Sequence, residues 1–539
     1  METKNTRRER TIAVSCLGAC VYALLFAVGS QIDRTGETAL RTGLVRFFAA
    51  LPLALLALYA LFAYALPAWE RRAYRRAIPQ KEEKPFCTPG AWALIFASYV
   101  PLFLIEYPGS FMYDTQRQVF QIARGEYEMF HPLAHTLLIR ACLSLYGVLQ
   151  SYEKCAAVYS VVQMLIMSGC FALLCASLSR SRTRKAARFA AAFFCLYPAH
   201  MAFASNCTKD GLFSAFFALL LAYCVEYAAA GRLCRLHSFL LVISGALACL
   251  LRNNMIYAMA AWLALLLLFA VFAAKKYLRL IGMGALAIAL SLGMNAGLAK
   301  WTNAAPGSRI EMLSVPIQQL SRARLLREDC FTEEEKALMD EVFVDALYDT
   351  PEKLYTHYEP TLADPVKNYL DEQLVLERFG ELAAMWASVG AKCPGVYLDA
   401  FWNLALPSLY PYSEYRVAQP YIETGLQPGV VTAPFGLPPM SQPGRFEGLR
   451  NWVYEHVYAT GADDVPLVRY LFNTGFVFWI LLLLYLYELC RGREDGVLML
   501  LLPLLLYATY LLGPVMQGRY LYPFVCALPL FASRRARSA

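Results

Sequence analysis

The sequence is short of charge. Asp, Glu, Lys and Arg make up 17% of its 539 residues, against 58% apolar residues. A soluble globular domain carries about 25% charged residues, so that class is excluded. The spacings that organise metal and redox sites are also missing. The 16 cysteines are scattered. Cys16, Cys20, Cys170, Cys175 and Cys249 lie inside apolar runs, where cysteine behaves as a small hydrophobe. Cys330 and Cys393 lie in the one large polar segment, and a disulfide between them stays open. There is no HExxH pattern, no internal repeat and no low-complexity tract. The basic then apolar N-terminus carries no small-residue cleavage site, so it reads as an uncleaved first span.

What is present is a series of long apolar runs. A helix needs about 20 such residues to cross a hydrocarbon core. The runs predict an all-α polytopic membrane protein with about twelve spans, near 11–29, 44–66, 91–107, 153–178, 187–204, 210–230, 236–251, 255–273, 278–299, 467–489, 496–514 and 517–533. Basic residues gather in alternate gaps: Arg7 to Arg10, Arg71 to Lys84, Arg180 to Arg188, Arg232 to Arg235, Lys275 to Arg279, Arg491 and Arg493, and Arg534 to Arg537. The positive-inside rule makes those gaps and both termini cytoplasmic. The net charge of +8 therefore reads as topology signal and anionic-lipid contact, not nucleic-acid binding.

Residues 132–149 require a choice. Counting them as a span would put Arg180 to Arg188 outside, so they read as a helix in the outer interface, with Arg140 snorkelling. The organisation is then a transmembrane region 1–299 with a first outer loop 108–152, an exterior segment 300–466, and C-terminal spans in 467–539. Helical stretches are expected at 115–124, 332–346 and 366–387. The Pro-, Gly- and Tyr-rich part 403–445 is expected to be irregular.

The sparsely basic outer gaps carry the unusual polar residues. Asp114 lies just after the third span, where a carboxylate suits a general base, and it also suits an N-cap for a helix starting at Thr115. His131 and His135 share a helix face and suit phosphate or substrate contact, a metal, or packing. Lys209 and Asp210 open the sixth span, whose N-terminus attracts anions. Arg252, followed by Asn253 and Asn254, and Arg519 stand in outer turns where orientation does not explain a cation. Each suits either a headgroup contact or a bidentate grip on a phosphate.

At these residues the chain resembles the GT-C superfamily of integral-membrane glycosyltransferases, in a bacterial branch. The resemblance rests on YDTQ with a following HPLAHT, TKD opening a span, RNNM, SVPIQQLSR after the ninth span and GRYLYP near the end, spread over roughly 105–525. It implies a polyprenyl-phosphate sugar donor, transfer to a glycan, lipid or protein acceptor on the outer face of the cytoplasmic membrane, and Asp114 as catalytic base. It implies donor contacts at His131, His135, Lys209, Asp210, Arg252, Asn253, Gln318, Gln319, Arg519 and Tyr520. Many relatives carry a second acid in the first outer loop. Here Asp114 stands alone, so no cofactor is assigned and the spacing gives a divalent metal no support.

Two other function classes fit a polytopic chain. A lipid-linked glycan transporter needs polar residues at mid-bilayer and broken helices in repeated halves, and neither is evident. A non-catalytic scaffold needs no convergence of Asp114, Lys209 and Arg519. The topology is open to cysteine labelling in a Cys-depleted background. A cysteine at position 184 is expected to react only from the cytoplasmic side. Labelling from outside alone would overturn both the orientation and the interfacial placement of 132–149.

Overall fold

The structure is a computed structural model that describes residues 4–76, 86–111, 113–272, 275–345, 352–412, 429–437, 446–453 and 474–532. It is all but entirely helical. Among the described residues seven helices are long and apolar enough to cross a membrane: Asn5–Thr35, Arg41–Arg72, Thr88–Ile105, Tyr152–Ser181, Lys209–Ala230, Asn253–Val271 and Lys275–Thr302. Apolar helices at Arg235–Leu251 and Gly475–Cys490 are shorter. The twelve expected spans therefore do not all emerge as single long helices. The 187–204 run is divided into Arg184–Leu196 and Pro198–Ser205, because Pro198 has no N–H and disfavours helix at Tyr197 before it. The last run holds a 3₁₀ turn, Gly518–Leu521, before the helix Tyr522–Ala532.

The bundle is built around Lys209–Ala230, 83% of whose apolar window is buried. A helix apolar on all sides suits a membrane span or a core, and here its neighbours enclose it. Tyr152–Ser181, Arg235–Leu251 and Tyr522–Ala532 pack against it, and Phe213, Phe217, Leu220 and Tyr223 are fully enclosed. By contrast the second helix is only 6% covered and presents Val45, Phe48, Leu53 and Leu56 outward, as expected of a lipid-facing element.

Residues 132–149 form two short helices, Leu133–Leu143 and Tyr146–Leu149, neither long enough to cross. They lie against Tyr152–Ser181, and Leu133–Leu143 also packs on Tyr113–Arg124. Arg140 is exposed, its guanidinium 5.7 Å from the Tyr127 ring and 6.0 Å from that of Trp301.

The described residues between 306 and 400 form a second body with its own apolar core, which includes Ile317, Leu320, Val342, Leu354, Val366 and Val389. Its acidic helix Glu333–Val342 opens on a reciprocal cap between Thr332 and Glu335. Cys330 and Cys393 are both buried in this core as free thiols. The expectation of irregular chain from 403 onward fails at its start. The helix Pro394–Leu409 runs through Pro407, held by burial of Leu404, Leu406 and Leu409, while residues 413–428 and 438–445 lie outside the described residues.

Two backbone seams fasten this body to the bundle. Ala305 pairs with the 127–129 strip: its N–H donates to Tyr127 O at 2.8 Å, and its carbonyl accepts from Met129 N at 2.9 Å. On the other side Ala363 N donates to Pro514 O at 2.7 Å, and Leu362 bridges to Val515. One seam ends two residues before His131 and the other four residues before Arg519.

Candidate functional site

The site begins with a short backbone pairing. Ser110–Phe111 runs parallel to Asn206–Cys207, which sets the start of the helix Tyr113–Arg124 beside the start of Lys209–Ala230. The approach is close enough to require glycine at 109. Its φ is +123°, and a Cβ there would lie 2.9 Å from Ser205 O and collide with Ser160 Oγ. Thr115 Oγ1 donates to Cys207 O at 2.7 Å, a second tie across the pairing. Behind it the Gln163 amide donates to Phe203 O at 2.8 Å and to Ala204 O at 3.3 Å. Thr208 N-caps the next helix through Asp210 N at 3.2 Å.

This places Asp114 against Lys209. The helix starts at Tyr113, so Asp114 sits in its first turn and does not act as the N-cap of a helix from Thr115. Its carboxylate turns to distant partners instead. Oδ2 accepts from Lys209 Nζ at 2.7 Å and from Arg519 Nη1 at 3.0 Å. Among the described residues no hydrogen bond reaches Oδ1. Burial pushes the Asp114 carboxyl up, but Lys209 and Arg519 outweigh it and hold the group well below the usual carboxylate range.

A second carboxylate completes the cluster. Asp210 is fully buried; Oδ1 binds Arg252 Nη1, and Oδ2 lies 3.7 Å from Arg519 Nε. Arg519 therefore bridges both acids and also donates to Gln517 Oε1. Arg252 stacks on aromatic faces, 4.3 Å from the Tyr520 ring centre and 4.8 Å from that of Tyr510. Two carboxylates thus face three cations in one largely enclosed group. The surplus positive charge suits an anion, and a bound phosphate would meet donors already held in place.

The two histidines part company. His131 Nδ1 is 3.5 Å from Lys209 Nζ, at the edge of the charged group. His135 is turned into the protein: Nδ1 is 2.9 Å from Gln118 Oε1 and Nε2 is 2.7 Å from Tyr159 OH, which in turn lies 2.7 Å from Gln163 Oε1. Both its ring nitrogens are engaged. His135 therefore braces the wall that carries Asp114 and makes no contact with Lys209 or the acids.

Of the remaining expected residues, Tyr520 belongs to the cluster. Asn253 begins the helix Asn253–Phe272 with an exposed side chain. Gln318 and Gln319 belong to the second body. Gln318 Nε2 donates to Glu359 O at 2.7 Å, and Gln319 Nε2 donates to Tyr397 O at 3.2 Å while its Oε1 accepts from Trp386 Nε1. Gln118, Tyr159, Gln163, Tyr510 and Gln517 escaped sequence reasoning. Gln163 had a signal, a lone amide inside the apolar run VVQMLIM. Among the described residues no three His, Cys, Asp or Glu side chains form a metal-binding group.

Protonation of the histidines gives the site a pH signature. Burial lowers His131 and His135 from the ordinary 6.5 to about 3, with Lys209 adding to the effect. The unfolded chain takes up these protons near pH 6.5 and the folded chain only near 3. Between those values the unfolded state binds more protons, so stability falls as pH falls. The melting temperature in detergent should therefore drop from pH 7 to pH 5, and less steeply in His135→Gln, which keeps a polar partner for Gln118 and Tyr159. An unchanged slope in that variant would mean that His135 does not supply this pH dependence.

Comparison with known proteins adds one match. Neither the curated proteins nor the solved structures contain one that matches this chain. Residues 128–538 match a family of unknown function, DUF6020. That stretch includes His131, Lys209, Asp210, Arg252, Arg519 and Tyr520, and it begins after Asp114. Covering more than half of the sequence, it makes this chain a member of the DUF6020 family.

Proposed function

We propose that the chain is a glycosyltransferase of the GT-C kind, moving a sugar from a polyprenyl-phosphate donor to an acceptor hydroxyl at the outer face of a bacterial cytoplasmic membrane. In this reading the chain crosses twelve times, both termini are cytoplasmic and residues 300–466 lie outside. One observation carries the reading: Asp114, Lys209, Arg252 and Arg519, from four separate turns, meet in a single, largely enclosed charged group. Orientation and helix capping account for none of those cations.

The chemistry follows from the pairing. The donor phosphate competes with Asp114 for Lys209 and Arg519. As it draws those cations away, Asp114 loses the charges that hold its carboxyl low, and it becomes a stronger base. The acceptor oxygen then attacks the anomeric carbon, its proton passing to Asp114. The bond from that carbon to the phosphate oxygen breaks, and the electron pair leaves with the phosphate, whose growing charge the cations stabilise. Direct displacement inverts the anomeric centre.

The same ion pairs favour a second reading. Each of the three cations already has a carboxylate, so the group could serve solely as a clasp joining the first outer loop to the last turns. Asp114→Asn and Arg519→Gln separate the two. In the enzyme, Asp114→Asn removes the competitor for Lys209 and Arg519. It should bind farnesyl phosphate at least as tightly as the parent while transferring sugar from polyprenyl-phosphate donors about 10²–10⁴-fold more slowly. Arg519→Gln should weaken farnesyl phosphate binding by about 1.5–3 kcal/mol, the usual worth of a charged hydrogen bond. Both readings predict some loss of melting temperature in the variants, because each leaves a charge without its partner; a clasp alone predicts no prenyl-phosphate binding in the parent.

A further inference from the structure

The motif SVPIQQLSR is not absorbed by the Asp114 cluster. It forms the first two turns of the helix Ser314–Leu326. Its last residue, Arg322, is in an unusual position. Among the described residues three cationic side chains belong to fully buried residues: Arg322, Lys367 and Arg519. Lys367 lies against Glu311 and Asp364, and Arg519 against Asp114 and Asp210. Arg322, 5% exposed, has no carboxylate within 4.0 Å among the described residues. Its Nη2 donates to Gly36 O at 2.8 Å, its Nη1 reaches Tyr358 OH only at 3.4 Å, and its Nε has no hydrogen-bond partner.

Arg322 is not alone. Residues 318, 321 and 322 share one helix face. Gln318 and Ser321 are fully buried, and Gln318 Oε1 and Ser321 Oγ likewise lack partners. Asp399, linked to Gly36 through the Asn403 amide, is engaged elsewhere: its Oδ1 accepts the Thr38 N–H at 2.9 Å and the Thr38 hydroxyl. A buried cation without a counter-charge is costly, and polar groups left unmade beside it add to the cost. Retaining a planar fork of donors here makes physical sense if an anion completes it. The position suits one. Gly36 immediately follows the candidate span Asn5–Thr35, so the face sits at the end of a membrane-crossing helix, with Arg34 and Arg41 exposed close by in sequence.

We propose that the Arg322 face is an oxyanion-binding site, separate from the Asp114 cluster, that takes a phosphate group through the Arg322 guanidinium and the Ser321 hydroxyl. The phosphate comes either from an anionic lipid headgroup or from a free phosphate. The proposal does not depend on the glycosyltransferase reading.

The full chain in detergent, titrated with inorganic phosphate, and the chain in nanodiscs of phosphatidylcholine with or without phosphatidylglycerol, give the test. Melting temperature is the readout. Because the Asp114 cluster also attracts anions, each titration is repeated in Arg519→Gln. A rise with phosphatidylglycerol alone assigns the site to a headgroup, and a rise with inorganic phosphate in detergent assigns it to a free oxyanion. In either case Arg322→Gln should weaken the apparent affinity at least tenfold, in the parent and in Arg519→Gln alike. Arg322→Lys keeps the charge without the planar fork, provides the reading if Arg322→Gln does not fold, and should weaken affinity at least threefold. No rise with either probe, or a rise of the same affinity in both Arg322 variants, overturns the proposal.

Discussion

The ion pairs that Asp114 makes with Lys209 and Arg519 are the constraint on which this end of the bundle depends. Removing one partner from a buried pair costs about 3–5 kcal/mol, because the other charge is left without compensation. Asp114 and Arg519 lie 405 positions apart, so satisfying their charges fixes the helix Tyr113–Arg124 against the turn Gly518–Leu521. Asp210 adds a second hold, binding Arg252 and lying beside Arg519. Charge thus joins turns that the backbone pairing of Ser110–Phe111 with Asn206–Cys207 already brings side by side.

The surrounding structure serves that arrangement. The pairing of Ser110–Phe111 with Asn206–Cys207 sets the spacing of Asp114 and Lys209, and the chain His135, Tyr159, Gln163 stiffens the wall behind it. The second body reaches the same place from both sides, through Ala305 near His131 and Ala363 near Arg519. Its two seams put any movement of that body in mechanical contact with both edges of the charged group.

The fold class was legible because apolar runs and scarce charge admit few alternatives. The number of membrane-crossing helices was less so, since hydropathy does not register a break such as that at Tyr197 and Pro198. The candidate site was legible at Asp114, Lys209, Arg252 and Arg519 for one reason: an isolated charge on an apolar background must find a partner. His135 was misjudged because sharing a helix face with His131 does not give it the same environment, and Tyr159 lies on another helix. Gln318 and Gln319 were grouped with the cluster by motif, but helix Ser314–Leu326 packs within the second body. Arg322 in that motif went unremarked, because a sequence does not reveal that a cation is buried without an acid.

The central claim is that the Asp114 cluster exchanges an internal carboxylate for a ligand phosphate. A structure of the full chain with farnesyl phosphate tests it directly. The account predicts the phosphate within hydrogen-bond distance of Lys209 and Arg519, with Asp114 released from at least one of them and its carboxylate at the mouth of the site. A phosphate bound elsewhere, with both Asp114 ion pairs intact, would contradict it.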